Sequence, residues 1–64
     1  MRKAQGAKRG ILASILEAGG MRRREDIERD GLGESRALTN CEANGWVTGG
    51  GLRVSITDAG KQAL

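Results

Sequence analysis

Ser35, Arg36, Thr39 and Asn40 stand at a spacing that brings four hydrogen-bonding side chains to one side of a helix. Arginine offers a planar fork of N–H donors, and asparagine a donor beside an acceptor. The Ser and Thr hydroxyls donate and accept through one atom. This is the chemistry of recognition, not of bond making. A second set, Arg22-Arg23-Arg24, puts three guanidinium groups in a row, a composition suited to oxyanions. Arg53 is a further cation, alternating with apolar residues near the end of the chain. The machinery of catalysis is missing from the sequence. It has no histidine for general-base work, no phosphate loop, and no acid spacing such as Glu-x-x-His. Cys41 is the one cysteine, with neither a disulfide partner nor a histidine to share a zinc ion. The expectation is a binding protein and not an enzyme, with no cofactor and no metal.

Charge supports this. Residues 1–24 carry seven cations against Glu17 alone, a net +6, whereas residues 25–64 carry four cations against seven acids, a net −3. A basic lobe on so short a chain favours an anionic partner, most often nucleic acid. Sixty-four residues form one domain at most, residues 1–64, and such a chain buries only roughly 60% of the surface its unfolded form exposes. A partner or a second copy is therefore expected to add support. The lone cysteine, the lack of a signal peptide and the lack of a long apolar run point to the cytoplasm and away from a membrane.

The elements that position these groups can be read from periodicity. Ala4, Ala7, Ile11, Leu12, Ile15, Leu16 and Ala18 form a helical stripe, predicting a helix over 4–18 that ends at Gly19-Gly20. Met21 and Arg22 bridge to a second helix over 23–30, anchored by Ile27 and flanked by Met21 and Leu32. Gly31-Leu32-Gly33 is a tight turn. A third helix starts near Glu34 or Ser35 and runs to Ala43, with Ala37, Leu38 and Cys41 facing inward and Asn44-Gly45 stopping it. Trp46-Val47 enters a strand, Gly49–Gly51 turn the chain, and Leu52, Val54 and Ile56 alternate with Arg53 and Ser55 as a half-buried strand. Thr57 caps a last helix over 58–64 that returns Ala59, Ala63 and Leu64 to the core. The class is α+β, mostly helical.

Two features of this order are specific. One is the Gly-Leu-Gly turn between short helices, followed by Gly45-Trp46-Val47. The other is Ile56-Thr57-x-x-Gly60-x-x-x-Leu64. Together they resemble the winged helix-turn-helix DNA-binding family, especially MarR-like bacterial or phage regulators, over about residues 7–64. The resemblance implies a three-helix core, a two-stranded β-wing and a short C-terminal helix. It also implies a function: a small double-stranded DNA-binding protein, a transcriptional regulator reading the major groove with its third helix. Ser35, Arg36, Thr39 and Asn40, with Ala43 beside them, would face base edges. Arg22, Arg23 and Arg24 at the start of the second helix would meet phosphates, helped by backbone N–H groups, and Arg53 would reach the backbone or minor groove from the wing. A module so small binds weakly alone, so a homodimer or cooperative loading is expected.

The competing reading is a protein-interaction module, such as an inhibitor or adaptor from a mobile element, built on the same frame without DNA. Glu25, Asp26, Glu28, Asp30, Glu34 and Glu42 favour it, because they crowd the second and third helices with negative charge. Trp46 reads as a core lid ahead of a stacking platform, and Cys41 as a small apolar filler ahead of a redox sensor.

Overall fold

The computed structural model describes residues 3–29, 35–49 and 51–64. Helix α1, Gly6–Glu17, buries Ile11, Leu12 and Ile15 completely, but Ala7, Leu16 and Ala18 of the expected stripe are exposed, as is Met21, which was expected to pack beside Ile27. At its end the Gly20 N–H donates to the Ile15 carbonyl (2.9 Å) and the Gly19 N–H to that of Leu16 (3.1 Å), which satisfies two terminal carbonyls. Helix α3, Ser35–Ala43, ends in the same way. There the Trp46 N–H donates to the Cys41 carbonyl and the Gly45 N–H to that of Glu42, both at 3.0 Å. This reversal needs Gly45 at φ +74°, a left-handed conformation that a Cβ would strain. The turn delivers Trp46 into the core at 7% exposure, as the lid reading expects.

The segment between α1 and α3 corrects the sequence reading. Met21–Arg23 is a strand, β1, and helix α2, Arg24–Arg29, begins one residue later than expected. The glycine turn after α1 throws the chain back along the later hairpin, where the Ile56 N–H donates to the Gly20 carbonyl (2.9 Å). Strands β2 (Val47–Thr48) and β3 (Arg53–Ile56) form the expected hairpin, and β1 joins it on the far side. The hairpin, expected to stand as two strands, is thus part of a three-stranded antiparallel sheet of order β1-β3-β2, with Arg22 opposite Val54, Arg23 opposite Arg53, and Val47 opposite Ile56.

Val54 is buried and Ile56 packs partly against the core, but Leu52 lies before β3 and is 86% exposed, not inward as expected. Helix α4, Asp58–Ala63, is capped as predicted: the Thr57 hydroxyl accepts from the Gly60 N–H at 3.1 Å. Ala59 is exposed, and Gly60 takes the inward place expected for it. A Cβ on Gly60 would strike the Trp46 carbonyl oxygen, so only glycine lets α4 approach the turn after α3 this closely. Ala63 is buried, Leu64 is half-buried, and the Ala4 N–H donates to the Ala63 carbonyl (2.8 Å), tying the start of the chain to α4. Ile27 of α2, and Leu38 and Cys41 of α3, complete the core with no exposed area. No helix among the described residues is long and apolar enough to cross a membrane. The expected turn at Gly31-Leu32-Gly33, the packing of Leu32, the placing of Asp30 and the cap at Glu34 lie outside the described residues.

Candidate nucleic-acid interface

Helix α3 is held in rotation by its apolar side. Ala37, Leu38 and Cys41 are buried, while Arg36, Thr39, Asn40 and Ala43 are exposed on the opposite side. Turning the helix to bury Arg36 would expose Leu38, at about 2 kcal/mol, and would desolvate a guanidinium as well. The outward row is therefore fixed by the core. Asn44 closes its end, its side-chain amide donating to the Asn40 carbonyl at 2.8 Å. Ser35 begins α3, and its side chain lies outside what is described.

The arginine triplet is divided among three tasks. Arg22 shares the inner face of the sheet with Val54, and its Nη1 donates to the Ser14 hydroxyl of α1. Arg23 is on the outer face, directly across from Arg53. Two like charges at such a position repel in the absence of a counterion. Arg23 also lies 3.8 Å from the Glu25 carboxylate, both side chains 65% exposed, a pairing that water largely screens. Arg23, Glu25, Leu52 and Arg53 line an open concavity of about 240 Å³. An oxyanion placed there would meet two guanidinium forks, one apolar side chain and, at the edge, the Glu25 carboxylate that it would have to displace from Arg23.

Arg24 has the most elaborate surroundings. Its Nη2 donates to Oε1 of Glu42 on α3 (2.8 Å), its Nε to the Gly51 carbonyl (3.1 Å), and its backbone N–H to the Leu52 carbonyl (2.8 Å). The expectation that all three arginines open a helix beside free N–H groups is thus corrected: Arg24 alone begins α2, and its N–H is engaged by the hairpin. The sequence reading missed the Arg24–Glu42 pair because the two lie 18 residues apart, with no local pattern to join them. It counted Glu42 among repelling acids, whereas the carboxylate is partnered internally. On α2, Glu25 and Glu28 are exposed and Asp26 is half-buried.

Beyond the far end of α3, Lys3, Gln5, Lys8, Asn44 and Trp46 line a second, polar concavity of about 340 Å³. Its two lysines complement the negative end of the helix dipole. Cys41 sits beneath α3 with its Sγ 4.0 Å from the Lys8 carbonyl oxygen. Burial raises its thiol pKa, Lys8 opposes that rise and Glu42 adds to it. A low-pKa, exposed thiol is what a redox sensor needs, and this one is neither.

No family model matches the chain, and no curated protein or solved structure is found to be similar to it.

Proposed function

We propose that this chain is a winged helix-turn-helix protein that binds double-stranded DNA in the cytoplasm as a transcriptional regulator. In this reading α3 lies in the major groove and the β2–β3 hairpin is the wing. The observation that supports it is the exposed row Arg36, Thr39 and Asn40, set opposite the buried side of α3. Arginine can pair with the two acceptors of guanine, and asparagine with the acceptor and donor of adenine. Arg23 and Arg53 on the outer face of the sheet supply the phosphate contacts, and their mutual repulsion is relieved by the anion they bind. A single module of this size covers little DNA, so a second copy, as homodimer or cooperative neighbour, shares the site.

The test is fluorescence anisotropy with a labelled random duplex over a salt series. Affinity falls steeply with salt, because each phosphate contact contributes nearly one unit to the slope of log K against log salt. Arg23→Ala weakens all sequences alike and lowers that slope by about one unit. On a selected site, Arg36→Ala costs about 1–3 kcal/mol and relaxes discrimination at one base pair. Absence of duplex binding at low salt sinks the DNA reading.

The exposed Glu25 and Glu28 on α2, together with exposed Leu16 and Met21, favour a second reading as a protein-interaction module. That reading gains if the duplex assay fails.

A further inference from the structure

We propose that Arg24 is a positioning residue which clamps the hairpin turn to the side of α3, and that Glu42 is its partner in the clamp rather than an acid opposing DNA. The proposal rests on the DNA reading above. One guanidinium spans two elements: Nη2 holds Glu42 on α3 at 2.8 Å, and Nε holds the Gly51 carbonyl at 3.1 Å. The Arg24 N–H takes the next carbonyl, that of Leu52, at 2.8 Å. Backbone and side chain of one residue thus hold adjacent carbonyls of the turn, while the far tip of the side chain holds the helix. The side chains of Arg24 and Glu42 are only 26% and 33% exposed, so water competes for them less than for the Arg23–Glu25 pair.

The consequence is geometric. Arg53 follows this turn directly, and Arg23 pairs with Arg53. The clamp therefore fixes the outer-face cations at a set offset from the row on α3. Two contact regions bind one rigid duplex well only if their spacing is set before binding, because ordering them on the DNA would consume affinity.

Removing the carboxylate separates this from simple electrostatics. Glu42→Ala and Glu42→Gln both delete one negative charge, and alanine suits the helix. If Glu42 only repelled phosphates, or only kept Arg24 from reaching one, both variants would bind duplex more tightly than wild type, and equally so. If it is half of a clamp, Glu42→Ala binds about tenfold more weakly. Glu42→Gln, whose amide oxygen still accepts from Nη2, falls between Glu42→Ala and wild type. The salt slope of Glu42→Ala also drops by about one unit although no cation has been removed, since Arg53 loses its ordered phosphate contact. A role confined to stability lowers the melting temperature but leaves that slope alone. Circular dichroism at the assay temperature checks that each variant is folded, and Glu42→Gln carries the test if Glu42→Ala is not. Tighter or unchanged binding by the folded variant, or an unchanged slope, overturns the clamp while leaving the DNA reading intact. Failure of the wild-type chain to bind duplex removes both.

Discussion

Thr57 shows how much one hydroxyl can hold together in a chain this small. It donates to the Gly45 carbonyl at 2.6 Å, at the turn after α3, and accepts from the Gly60 N–H at 3.1 Å, in the first turn of α4. Both capacities of the oxygen are used, so two elements hang on one atom. Thr57→Val keeps the shape and loses both bonds, at about 1–2 kcal/mol. For a domain of this length that lowers the melting temperature by roughly 5–15 °C, read by circular dichroism, while Thr57→Ser melts near wild type. Equal melting of the valine and serine variants would show that neither bond contributes. The cap was legible in the sequence because its acceptor and donor lie within three residues of each other. Arg22 and Arg24 were not, because a guanidinium is equally suited to a phosphate, a serine hydroxyl or a glutamate. Only the fold decides which of these is near.

At the scale of elements, legibility followed periodicity. Helices α1 and α3 each carry a stripe of buried apolar residues and a glycine stop, and both lie close to where the pattern put them. Strand β1 has three residues, with exposed, half-buried and exposed side chains, too few for alternation to register. It is a strand because the turn at Gly19-Gly20 aims it at β3, a tertiary cause with no local trace. Leu52 misled for a related reason. It continues the alternation of Val54 and Ile56, but the strand starts after it. Glycines divide in the same way between local need and tertiary contact. At Gly60 a Cβ meets the Trp46 backbone, which cannot yield as a side chain would, whereas at Gly51 it meets nothing within 4 Å. Gly60→Ala is therefore expected to destabilise by about 1–3 kcal/mol. Gly51→Ala is expected to be neutral or stabilising by up to about 1 kcal/mol, through the unfolded chain. Urea denaturation of the two variants checks the contrast, and a Gly60→Ala midpoint equal to wild type would mean that α4 does not pack as closely as described.

For the molecule as a whole, the decisive number is how little stability a 64-residue core can hold in reserve. One buried titratable group then matters to the entire folding equilibrium. Cys41 is that group: it has no exposed area, and its folded thiol ionises above the ordinary value of 9.0, chiefly because burial disfavours the thiolate. The unfolded chain loses this proton near 9.0 while the folded chain keeps it, so the unfolded state binds fewer protons once the pH passes that point. By linkage, the contribution is fully present below the unfolded pKa and is lost as pH rises through the folded one, at up to about 1.4 kcal/mol per pH unit between them. Contributions common to wild type and variant cancel when the two are compared. Cys41→Ala is expected to be less stable than wild type at pH 7, because it leaves a small cavity between α1 and α3. Its stability should nevertheless decline less steeply between pH 8 and 10, so that the two urea-derived curves converge. Parallel curves would mean that the thiol ionises in the folded protein as readily as in the unfolded chain, and that burial does not hold its proton.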